Sequence, residues 1–228
     1  MNNNALPDFS DIFARYETLA AEADALFERV RSAHPDCVSC CEGCSDCCHA
    51  LFDLTLVEAV YINKRFAEAF PKGLERSIIL EAAGVADRKA YIIKRQAFKD
   101  TQAGQDTDSV IMGIGKERVR CPLLNDEKRC LLYAFRPITC RIYGIPVAIN
   151  NKGYTCGTSA FTPGKQYPTV NLDAITHRLL ALGLEMAQLA QSPHKEAHTV
   201  LVPLSMALLT EYNAAYFGLG KRTEAPRG

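Results

Sequence analysis

Tryptophan is missing from this chain, and so is any excess of charge: 26 Lys and Arg balance 26 Asp and Glu. Without a basic surplus there is no general electrostatic pull toward nucleic acid, and the indole that would stack on bases is absent. A nucleic-acid partner is therefore not expected. No acidic tail is present, and no uncharged run approaches the roughly 18–20 residues of a membrane span. The start, Met1 to Phe9, has neither a charged n-region nor an apolar h-region, so it does not read as a signal peptide. G-x-G-x-x-G, P-loop lysine and G-x-S-x-G patterns are all lacking, which removes dinucleotide, phosphate-loop and nucleophile-elbow readings. These absences point to a cytoplasmic protein. With 228 residues, 48% of them hydrophobic, it can bury a core without covalent staples.

Cysteine is abundant instead. Six of the ten lie together as Cys37, Cys40, Cys41, Cys44, Cys47 and Cys48. Each C-x-x-C step brings two sulfurs within reach of one ion, and thiolates are soft ligands for zinc or iron–sulfur chemistry. In a reducing compartment such density indicates metal binding rather than disulfides. The other four, Cys121, Cys130, Cys140 and Cys156, lie downstream.

The rest of the chain reads as mainly α with a small irregular β insert, an α+β domain in which metal-stapled cysteine-rich loops pack on helices. A single domain over 1–228 is expected. It comprises an N-terminal helix within 1–36, a cysteine module at 37–157, C-terminal helices within 158–220 and a disordered tail at 221–228. Phe9, Ile12, Phe13, Tyr16, Leu19, Ala23 and Val30 recur at helical spacing over 8–31. Thr55-x-x-Glu58 is a capping box opening a helix to about Phe70. Further helices are expected at about 74–98, 171–190 and 203–217, with 100–109 a polar loop. Between 117 and 157, β-prone runs are expected at 119–124, 129–133, 142–149 and 154–156, with Asn150-Asn151-Lys152-Gly153 as a hairpin turn. Folding this insert onto the 37–48 loop would let distant thiolates share sites.

Cys41, Cys44, Cys47 and Cys48 give four ligands, and Cys121, Cys130, Cys140 and Cys156 give four more. Such a set suits two four-coordinate ions or one polynuclear cluster. Adjacent Cys47 and Cys48 are awkward on one tetrahedral ion, which favours two metals or leaves one thiol inert. Thiolate sites are electron-rich and need donors and cations nearby. Arg136 and Arg141 flank Cys140, and Arg118, Arg120 and Arg129 lie near Cys121 and Cys130. Tyr143 could donate a hydrogen bond or pack. His49 could replace a cysteine, whereas His194 and His198 read as a solvated loop.

Two blocks carry a family resemblance: Cys41-Glu-Gly-Cys44-Ser-Asp-Cys47-Cys48, and Cys121-Pro-Leu-Leu followed by Cys130-Leu-Leu-Tyr133-Ala-Phe-Arg136-Pro137-Ile-Thr-Cys140-Arg141. Together they resemble the C-x-x-C-x-x-C-C (YkgJ-like) family of zinc- or iron-chelating domains. The resemblance implies metal ligation by Cys41, Cys44, Cys47, Cys48, Cys121, Cys130 and Cys140, with Cys156 as an eighth ligand. It also implies a bacterial cytosolic protein. Cys37 and Cys40 are additions to the pattern. The cofactor expected is zinc or iron, including a [4Fe–4S] cluster, with Arg136, Arg141 and Tyr143 beside it. Three functions compete: a metal-binding module, an iron–sulfur redox or protein-modifying enzyme (the family includes flagellin lysine-N-methylases), and a metal-stapled interaction protein.

Overall fold

The computed structural model describes residues 6–219. Seven helices dominate them: α1 Ser10–Ala33, α2 Leu56–Ala69, α3 Leu74–Gln102, α4 Thr107–Lys116, α5 Ile138–Ile142, α6 Leu172–Leu189 and α7 Leu204–Leu209. Five strands of two or three residues accompany them: β1 Asp53–Leu54, β2 Val147–Ile149, β3 Lys152–Tyr154, β4 Val170–Asn171 and β5 Val202–Pro203. The mainly α architecture with a small β component is as expected. The expected tail at 221–228 lies outside the described residues.

α2 is the wall between two apolar clusters. Val57, Val60 and Tyr61 join Phe13, Tyr16 and Leu19 of α1, Ile138 and Ile142 of α5, and Leu179 and Met186 of α6. Ala59, Ile62 and Phe66, from the other side of α2, join Ile79 and Ala83 of α3 and Ala207 and Leu208 of α7. A helix apolar all round must be enclosed, and residues 56–62 are all buried. Its start is fixed by the expected capping box: the Thr55 side chain accepts from the Glu58 backbone, and the Glu58 carboxylate accepts from the Thr55 N–H.

A hairpin forms where expected, but its turn is shorter than Asn150-Asn151-Lys152-Gly153: Lys152 and Gly153 already belong to β3. Ile149 pairs with Lys152, so Asn150 and Asn151 are the two turn residues, at φ 49° and 60°. That left-handed pair is the geometry asparagine tolerates and a two-residue hairpin needs. β2 also pairs in parallel with β4, and β1 pairs antiparallel with β5.

Other expectations are corrected. The segments 119–124 and 129–133 are not strands. Only an isolated bridge joins Leu124 to Cys130, because Pro122 supplies no donor and the chain turns its cysteines inward. The run 142–149 starts as the end of α5, and Cys156 lies beyond β3 in a turn. The polar stretch 100–109 is mostly helical: α3 continues to Gln102, and the Asp106 carboxylate caps α4 by accepting from the Asp108 and Ser109 N–H groups. α7 stops at Leu209 rather than 217, and turns follow.

Candidate metal centre

Three segments converge on one point. After α1, the Cys41–Cys44 turn closes through the Cys44 N–H to the Cys41 carbonyl, with Gly43 at φ 84°. A single 3-10 turn, Cys47–His49, follows. The second segment is pinned to it by backbone: the Cys121 N–H donates to the Cys48 carbonyl at 2.7 Å, and the Val119 N–H to the His49 carbonyl at 2.9 Å. The chain then loops back so that the Leu131 N–H donates to the Leu123 carbonyl at 2.8 Å, setting Cys130 beside Cys121. The third segment is α5, which carries Cys140. Its first N–H, at Ile138, donates to Glu58 Oε1 at 3.1 Å. Glu58 therefore closes the capping box of α2 and also fastens the start of α5.

Cys47, Cys48, Cys121, Cys130 and Cys140 line a cavity of about 60 Å³, together with Arg136 and apolar Ile62, Leu123 and Leu132. Burial pushes the Cys121 thiol up to about 12 and raises Cys130 and Cys140 as well, with neighbouring sulfurs adding to the effect. Cys47 behaves differently. Its sulfur lies 4.0 Å from that of Cys48. The Cys48 S–H lowers the Cys47 thiol to about 7, and Cys48 itself is raised.

Arg136 fixes one wall. Its guanidinium meets Asp24 at 2.9 Å and stacks over the Tyr133 ring, 4.1 Å from the centroid. Arg141 is 8% exposed, pairs with Asp24, and donates to the Arg136 and Ala134 carbonyls at 2.9 and 2.8 Å. Both arginines thus tie the R-P-x-x-C-R turn to α1, and the Arg141 donors are committed to this. Tyr143 is half-buried beside Arg118 and Asp46, which pair at 3.1 Å. Arg120 donates to the Leu124 carbonyl, and Arg129 pairs with Glu42 at 2.6 Å.

The remaining cysteines lie outside the cavity. Cys156 donates to Asp46 Oδ2 at 3.4 Å and lies 3.1 Å from the Thr158 hydroxyl. Cys40 packs directly on Gly144, where an added Cβ would lie 2.1 Å from its sulfur. Burial raises Cys40 to about 12, and Cys44 and Cys156 are the next contributors. Cys41 is exposed, Cys44 half-buried, and Cys37 packs against the α1–α6 cluster. His49 Nδ1 is 2.9 Å from the Ser45 carbonyl. His194 and His198 lie at the far end of α6, by a short 3-10 turn.

Five cysteines lining one mostly apolar cavity fit a thiophilic metal by donor chemistry. All ten cysteines are free, and among the described residues no three His, Cys, Asp or Glu side chains are closed into the arrangement that grips one ion. Sequence reading missed Asp24, the shared partner of two motif arginines, and the second role of Glu58. Asp24 sits among ordinary polar residues of α1, with nothing in the sequence to single it out.

A family model described as "Putative zinc- or iron-chelating domain" matches residues 39–157. The chain belongs to the CxxCxxCC family. The match takes in every cavity cysteine and ends one residue after Cys156, while Cys37 falls outside it. No curated protein and no solved structure matches the chain. No helix among the described residues is long and apolar enough to cross a membrane.

Proposed function

We propose that this CxxCxxCC protein binds zinc or iron through the thiolates of Cys47, Cys48, Cys121, Cys130 and Cys140, as a metal-binding module. The observation that carries this is the convergence of five cysteines from three separate segments on one cavity. A family of zinc- or iron-chelating domains supports the same reading. When bound, such a metal supplies a multidentate cross-link between the three segments. The chain's own part is to hold the sulfurs in a mostly apolar cavity, with Arg120 and Arg136 as the cations at its wall. Cys47, already lowered toward neutrality, is the first thiol to offer a thiolate.

Cys156 meets Asp46, and Cys44, Cys156 and the more exposed Cys41 neighbour Cys40 outside the cavity. This supports a polynuclear or two-ion arrangement less directly than the inner set supports one centre. The enzyme reading draws little support: Arg141 is committed to Asp24 and two carbonyls, and Tyr143 faces Arg118 and Asp46.

Elemental analysis and visible absorption of protein purified without oxygen test the proposal. Wild type should carry zinc or iron, Cys121→Ser and Cys140→Ser should lose most of it, and Cys37→Ser should retain it. Metal-free wild-type protein, or equal loss from all three substitutions, overturns the assignment.

A further inference from the structure

α3 buries Ile79, Ala83, Ala86 and Ala90 against the body of the protein. Its outer side is not uniformly polar. Leu74, Ile78, Val85 and Ile92 are 78, 58, 43 and 65% exposed. Spacings of four, seven and seven residues keep them within about 40° of one another on a helix, and spread them along about 27 Å of its axis. Single exposed apolar residues are ordinary, but four aligned on one face of a helix, interleaved with the exposed charges Glu81, Arg88 and Lys89, offer a contact surface. Helices seat on each other where seam positions recur every 3.5 residues on average; here Ile78, Val85 and Ile92 fill one of the two positions in each heptad, and Glu81, Arg88 and Arg95 fill the other. α4 packs on α3 and leaves this stripe uncovered.

The pattern also says what the stripe meets. Ile78 and Ile92 lie seven residues to either side of Val85. Glu81 and Arg88 lie on one flank of the stripe, four residues before Val85 and three after it. Turning a second α3 about a two-fold axis at Val85 puts Val85 against its own copy. It also puts Ile78 against Ile92 of that copy, and Glu81 against its Arg88, twice by symmetry. Parallel pairing would set Glu81 against Glu81 and Arg88 against Arg88. The wider charge distribution agrees: Glu75, Glu81 and Asp87 outnumber Arg76 in the first half of α3, while Arg88, Lys89, Lys94, Arg95 and Lys99 outnumber Asp100 in the second.

We propose that two copies of this chain associate through antiparallel pairing of their α3 helices along Leu74, Ile78, Val85 and Ile92. The contact is isologous, so it closes at a dimer. It lies on the side of α3 opposite the elements that carry the cysteines, and it does not depend on metal.

Sedimentation velocity on the full chain, from low to high micromolar concentration, tests this. Wild type should shift from monomer to dimer with concentration. Val85→Lys should remain monomeric with unchanged helicity. Glu81→Arg and Arg88→Glu should each weaken the dimer at least tenfold, and the double charge swap should restore it. A wild type that stays monomeric, a dimer that survives Val85→Lys, or a double swap no tighter than the single variants overturns the proposal.

Discussion

Glu58 holds three donors on two oxygens. Oε2 accepts from the Thr55 N–H and hydroxyl, and Oε1 from the Ile138 N–H. Glutamine keeps the shape of this side chain but replaces one acceptor with an NH₂ donor. One of the three protein donors then faces another donor inside the core. An unsatisfied buried polar group costs about 1–3 kcal/mol, so Glu58→Gln should lower stability by that order in chemical denaturation. Because Ile138 opens the helix that carries Cys140, metal affinity should fall as well. A conservative change at exposed Glu42, which pairs with Arg129 on the surface, should cost at most about 1 kcal/mol. Equal effects at the two positions would show that Glu58 does not anchor α5.

At the scale of elements, the cysteine module is held by close approach as much as by hydrogen bonds. Gly144, just past α5, touches the Cys40 sulfur: a methyl there would come within 2.1 Å of Sγ and 3.3 Å of the Phe27 ring. Overpacking of this kind costs about 1–3 kcal/mol. Gly144→Ala should therefore destabilise the chain, and Cys40→Ala should relieve part of the cost by removing the sulfur. A double-mutant cycle read by urea denaturation should give a coupling of about 0.5–3 kcal/mol, and additivity would mean that the contact is absent. This pair was not legible in the sequence, where Cys40 reads as an extra thiol and Gly144 falls within an expected β-prone run. α1, α2 and α6 were legible because their apolar periodicity, and the capping box of α2, are local signals. So was the Asn150-Asn151 turn, which demands left-handed backbone. The segments around Cys121 and Cys130 were misread as strands because β-prone residues there serve burial against Leu123, Leu132 and α2. α4 was missed because an aspartate cap inside a polar run resembles a loop. For the candidate site, spacing pointed to the cysteines, but only tertiary structure separates the inner five from Cys40, Cys41, Cys44 and Cys156. Asp24 is invisible at residue level, since its meaning comes from two arginines more than a hundred positions away.

For the whole molecule, the cavity is not an appendage. Cys121 and Cys130 pack against the α2–α3–α7 cluster, and Ile138 and Ile142 of the Cys140 helix lie in the α1–α6 cluster. The state of the thiols is therefore linked to global stability. A free thiol ionises near 8.5, whereas burial holds Cys121 at about 12 and raises Cys130 and Cys140 too. The sign follows from proton counting. Between those values the unfolded chain has lost protons that these three thiols retain in the folded, metal-free chain, so their contribution to stability is full below about 8.5 and falls as pH rises toward 12, while Cys47, lowered to about 7, acts with the opposite sign between about 7 and 8.5. Metal binding requires the opposite state, since ligating sulfurs give up their protons. The melting temperature of the metal-free protein should thus decline through the alkaline range. The loaded protein should melt higher at pH 8, decline less on the alkaline side, and lose its advantage on acidification as protons compete for sulfur. Calorimetry of both forms across pH checks this. Parallel curves for the two forms would mean that metal does not engage the buried thiols, and would place any bound ion at the cysteines outside the cavity instead.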